Sequence, residues 1–115
     1  MAFTKDQMAA ITRMMEAYIA AVRPAEEIRH QLDLGWRLDR QSVYIFTIRP
    51  DWQDPSIIRH HDFAKATWVK SKGHWEIFWQ RANGNWTTYQ ALPSVGNLQL
   101  FLEEVERNPH FCFDA

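Results

Sequence analysis

The residues of this chain predict an α+β domain with an antiparallel sheet, on three observations. Apolar residues recur every three or four positions at Met8, Ile11, Met15, Tyr18 and Val22, and again at Leu98, Phe101, Leu102 and Val105, which marks an amphipathic helix near each end. Between them the period falls to two, as in Leu32, Leu34, Trp36 and Leu38, the spacing of a half-buried strand. Turn signals at Asp39-Arg40-Gln41, Ser71-Lys72-Gly73 and Asn83-Gly84 then punctuate short apolar runs, as in a chain of hairpins. The expected fold is a five-stranded antiparallel β-meander with an N-terminal and a C-terminal helix packed on one face, all in one domain spanning residues 1–115.

The first helix should begin near Lys5, because Thr4 and Gln7 make a capping box and Phe3 can staple onto Met8. Arg23-Pro24 ends it, and Ala25-Glu26-Glu27-Ile28-Arg29 can add a short helical turn with acids in its first turn. Alternation from His30 through Asp39 gives the first strand. Val43-Tyr44-Ile45-Phe46-Thr47-Ile48 does not alternate, so it reads as a strand buried on both faces. Pro50 and Pro55 open an irregular loop through His60-His61, after which Phe63 to Lys70, Trp75 to Arg81 and Trp86 to Gln90 supply three more strands. A two- or four-residue loop at Asn83-Gly84 puts Arg81 opposite Trp86. An even loop at Lys72-Gly73 gathers Ala64, Ala66, Trp68, Trp75, Ile77, Trp79 and Trp86 on one face and leaves Lys65, Thr67, Val69, Glu76, Phe78, Gln80, Thr87 and Tyr89 on the other. The second helix has Ser94 or Asn97 as its cap and stops before Asn108-Pro109, and the tail aromatics Phe111 and Phe113 are expected to dock on the core. The expected core is Ile11, Met15, Tyr18, Leu32, Leu34, Trp36, Tyr44, Phe46, Ile48, Trp68, Trp75, Ile77, Trp79, Phe101, Leu102 and Val105.

Composition bounds the function classes. With 46% apolar and 23% charged residues over 115 positions, one core can form and disorder is a poor fit. A net charge of −1 offers no overall attraction for nucleic acid or anionic membrane, so such binding needs a local patch. The first residues lack the apolar stretch of a signal peptide, no run is long enough to span a membrane, and the lone Cys112 excludes an internal disulfide. A cytoplasmic protein is expected.

No motif for catalysis, a cofactor or a metal stands out. The four glycines are isolated, so no phosphate-cradling loop forms, and no zinc-protease, serine-hydrolase or calcium-loop signature is present. His60-His61-Asp62 is the one local cluster of metal-type ligands, and sequence neighbours seldom converge on one ion, so a solvated loop is the plainer reading. Glu27, Asp33 and Glu76 are the acids near the sheet. Nothing in their spacing forces convergence, which makes a nuclease-like hydrolase the alternative reading rather than the leading one.

The positive signal is six Trp interleaved with cations. Arg and Lys beside open rings can hold a phosphate or carboxylate while the ring takes a flat moiety. The leading reading is therefore a non-catalytic binding or interaction module on a basic and aromatic sheet face. Its candidate ligand-binding residues are Arg29, Arg49, Lys65 and Arg81 as a basic rim, with Phe78 and Tyr89 as the stacking surface. An anionic ligand or single-stranded nucleic acid fits that face, and a homodimer is the expected assembly because the face is partly apolar.

An ordered series of short matches adds a resemblance. Pro24 and Arg29, Ile48-Arg49-Pro50, Phe63-Ala64-Lys65, Trp75 through Phe78-Trp79, Trp86 through Tyr89, and Val105, Asn108-Pro109 and Phe111 are arranged as in a bacterial family catalogued only as a domain of unknown function. The chain resembles that family from about Arg23 to Phe113. It departs at Thr47, where the family often carries an acid, near Asn108, where an aspartate is common, and at Ala115, where a glycine is common. The resemblance implies a whole domain and no activity, cofactor or substrate.

Overall fold

The computed structural model describes residues 3–113. Helix α1 spans Lys5–Val22, and its start is the expected capping box: the Gln7 N–H donates to the Thr4 hydroxyl at 3.1 Å while the Thr4 N–H donates to the Gln7 side chain at 2.8 Å. Phe3 stacks on Trp75 at 5.7 Å between ring centroids, and Met8 is left exposed. A 3-10 turn at Glu26–Ile28 follows Pro24, as the acids there suggested.

Among the described residues six strands make the sheet: β1 (Asp33–Asp39), β2 (Ser42–Pro50), β3 (Ile58–Val69), β4 (His74–Gln80), β5 (Trp86–Thr88) and β6 (Ser94–Val95). The order is β1-β2-β3-β4-β5, every pairing is antiparallel, and β6 also pairs with β4. The meander of five strands is thus present, with β6 as an addition whose two residues were too short to signal a period. Helix α2 (Leu98–Arg107) closes the fold, capped by Asn97, whose side chain accepts the Leu100 N–H at 3.1 Å, and ended by Asn108 at φ 42°. No helix among the described residues is long and apolar enough to cross a membrane.

Alternation along each strand sorts the side chains. Val43 and Ile45 of β2, Ala64 and Ala66 of β3, and Trp75 and Ile77 of β4 share one face and one buried cluster with Ile11, Met15 and Ile19 of α1 and Leu98, Phe101, Leu102 and Val105 of α2. Burying each large side chain of this set contributes roughly 2 kcal/mol. The small Ala64 and Ala66 stand in the middle strand of this face, with no exposed surface. The loop after β3 is even, so Ala64 pairs with Trp79, Ala66 with Ile77 and Trp68 with Trp75, as expected.

Four expectations need correction. His60 and His61 are not in a loop: β3 begins at Ile58 and pairs with β2 as far as Pro50, so the hairpin is longer than Pro50 and Pro55 suggested. Strand β1 starts at Asp33 rather than His30, and Leu32 is exposed. Tyr44, Phe46 and Ile48 lie on the face opposite Val43 and Ile45, outside the main cluster, although Phe46 is buried locally.

The fourth correction is the largest. Gln80, not Arg81, pairs with Trp86, because the connection has five residues rather than two or four. The Gly84 N–H donates to the Arg81 carbonyl at 2.8 Å, Gly84 sits at φ 85°, and the Arg81 N–H donates to the Asn85 carbonyl at 2.9 Å. Asn83-Gly84 therefore closes a longer loop instead of forming the tight turn by itself. A slip of one residue exchanges the faces of the whole strand. Trp86 moves to the open face, and Thr87 and Tyr89 move to the covered one.

Candidate functional site

Register builds the site. Arg37 of β1 pairs with Tyr44 of β2, Tyr44 with Lys65 of β3, Lys65 with Phe78 of β4, and Phe78 with Thr88 of β5. These five side chains form one row straight across the sheet, on the face away from the helix cluster. At about 4.8 Å between neighbouring strands the row is roughly 19 Å long. Trp86, carried to this face by the five-residue loop, stands beside the row with its ring centroid 5.9 Å from that of Tyr44.

Lys65 lies at the centre. Its Nζ is 4.7 Å from the Phe78 ring centroid, 4.8 Å from that of Trp86 and 5.8 Å from that of Tyr44. An ammonium within about 6 Å of a ring face is attracted by the ring quadrupole. Lys65 makes no ion pair with any carboxylate among the described residues. Burial among the rings removes water and pushes its pKa below the usual lysine range. The Arg37 guanidinium covers the other side of Tyr44 at 4.0 Å from the centroid and makes a two-pronged ion pair with Asp62. Ser42 and Thr67 share a hydroxyl hydrogen bond of 2.7 Å at one border of the row. On the other border Phe46 stacks on His60 at 4.8 Å, and its ring occupies the space a side chain on Gly35 would need.

Of the six residues expected to bind, the structure brings two together, Lys65 and Phe78. Tyr89 is only 1% exposed. Its hydroxyl donates to Glu104 Oε2 at 2.6 Å and its ring packs on Phe113 at 4.8 Å, so it belongs to the covered side. Arg81 follows β4 and lies 5.9 Å from the ring of Trp79, a covered-face residue. Arg29 precedes β1 and donates from Nε to the Pro24 carbonyl at 2.9 Å. Arg49 lies near the far end of the β2–β3 hairpin and points to the reverse face. The rim does not encircle Lys65. Arg37, Tyr44 and Trp86 take the places given to the other four. In the sequence Tyr44 reads as core because its neighbours are apolar, and Arg37 carries no pattern of its own.

The acids do not converge. Asp33 is bound by Arg23, which holds its carboxyl below the usual range. Glu76 sits two strands beyond β2, with His74 Nε2 at 3.4 Å and Lys72 Nζ at 3.7 Å. In His60-His61-Asp62 the strand turns His61 away from its two neighbours, while His60 stacks on Phe46 and Asp62 is held by Arg37. Thr47 is buried on the covered face, its hydroxyl without a hydrogen-bond partner.

No curated protein and no solved structure matches the chain. A family model does match, over residues 3–115 and so across nearly all of the sequence, and the chain accordingly belongs to the family described as domain of unknown function DUF3024.

Proposed function

We propose that this domain is a non-catalytic binding module whose open sheet face takes single-stranded nucleic acid across the row from Arg37 to Thr88. The observation that carries the reading is Lys65, a cation flanked by three rings and without a carboxylate of its own. A phosphate would supply that missing charge. Tyr44, Phe78 and Trp86 would supply stacking surface for bases, a contact that tolerates any sequence because every base has a π face. The separation of Asp33 from Glu76 weighs against the nuclease-like alternative. The lone Cys112 fits a reducing cytoplasm. A homodimer on the same face would compete with the ligand.

A thermal-shift titration with a single-stranded hexathymidylate tests the proposal. A ligand at a hundredfold excess over its Kd stabilises the folded state by about 2.7 kcal/mol, so the wild type should melt several degrees higher. Lys65→Ala and Trp86→Ala should lose most of that rise, and Arg81→Ala should keep it. Lys65→Ala should also flatten the dependence of log K on log salt by about 0.7, the value of one phosphate contact on a single strand. No shift in the wild type, or a shift that both variants keep, contradicts the proposal.

A further inference from the structure

The far end of the β2–β3 hairpin carries a second cationic group, on the opposite side of the sheet from Lys65. Arg49 and Arg59 are direct cross-strand partners, and Thr47 and His61 are the next pair that faces the same way. Like charges placed directly opposite each other on a strand pair destabilise it. One carboxylate, Asp51, lines the cleft there. It accepts Arg59 Nε at 3.0 Å and the backbone N–H groups of Gln53 and Asp54 at 3.1 Å each. Asp51 thus balances one guanidinium and is itself held in place by its own loop. Arg49 has no ion pair among the described residues.

Both arginines, His61 and Trp52 line one cleft of about 400 Å³. Trp52 is 86% exposed, which leaves the faces of its indole open to a partner. The cleft thus sets an open ring beside Arg49, the one of the two guanidinium groups that no carboxylate among the described residues balances. Planar guanidinium forks match phosphate oxygens two at a time, and an indole face stacks on a flat heterocycle.

We propose that this cleft binds a phosphate monoester carried on a flat ring, as in a nucleoside monophosphate, with the phosphate between Arg49 and Arg59 and the ring on Trp52. The site is independent of the Lys65 face, since strand alternation puts the two on opposite sides of the sheet.

Calorimetric titration of the full chain with inorganic phosphate, adenosine monophosphate and adenosine tests the proposal. The monophosphate should bind most tightly, inorganic phosphate weakly and adenosine least. Arg49→Gln should weaken the monophosphate by at least about tenfold, the loss of one charge-assisted contact, and Trp52→Ala should weaken it while leaving inorganic phosphate unchanged. Lys65→Ala should leave all three titrations as they are. Without ligand, Arg49→Gln should melt no lower than the wild type, because it removes the repulsion. The proposal is overturned if the wild type binds no monophosphate at millimolar concentration, or if Arg49→Gln and Arg59→Gln both retain wild-type affinity. It is equally overturned if Lys65→Ala, rather than Arg49→Gln, abolishes binding.

Discussion

Gly35 shows how one missing methyl group sets the shape of the open face. It pairs with Phe46, and a Cβ at Gly35 would stand 2.7 Å from two atoms of the Phe46 ring. That ring is already stacked on His60 and cannot swing away without giving up the contact. Gly35→Ala should therefore cost about 1 to 2 kcal/mol, as overpacking does, and urea unfolding would measure it. A second residue, Glu104, is buried yet ionised, held first by the Tyr89 hydroxyl and also by Arg107, which keep its carboxyl below the usual range. Since the folded pKa lies below the unfolded value of about 4.3, the stabilisation is full above that pH and fades as pH falls through the folded pKa. Glu104→Gln should lose about 2 kcal/mol at neutral pH, and the gap from the wild type should narrow below about pH 4. A gap that stayed constant across an acid melting series would rule this out. Neither role was legible in the sequence. The glycine fell in a plain alternating run, and the glutamate looked like any polar position on the outer face of a helix.

At the scale of elements, the sequence was most informative where the physics is local. The capping box of α1, the turn after Pro24, the Asn97 cap of α2 and the even loop between β3 and β4 all depend on residues within a few positions of one another. It was least informative where loop length decides register. Asn83-Gly84 announces a hairpin, but the number of residues around it decides whether Trp86 or Tyr89 reaches the open face, and that number depends on how β4 pairs further along. The tail illustrates the same division. Phe111 and Phe113 look alike in sequence, yet Phe111 is 76% exposed while Phe113 is 4% exposed against Tyr89. Phe113→Ala should cost about 3 kcal/mol or more, and Phe111→Ala should stay within about 0.5 kcal/mol of the wild type. Chemical denaturation of the two variants side by side would show it, and equal losses would mean that the tail does not dock as described.

For the whole molecule, the α+β class and the antiparallel meander were legible because helical and strand periods occupy separate stretches of the chain. The candidate site was legible only in part. Lys65 and Phe78 alternate onto one face by sequence spacing alone, but Arg37, Tyr44 and Trp86 join them through pairings between strands far apart in the chain. If this face, uncovered by the helix cluster, is the binding surface, a bound oligonucleotide must perturb it and spare the helices. An amide and indole NMR titration with single-stranded hexathymidylate reads out each of these residues separately. The largest shifts should map to Arg37, Tyr44, Lys65, Phe78 and Trp86, and α1 and α2 should stay still. No shifts at saturating oligonucleotide, or shifts concentrated on the helices, would contradict it.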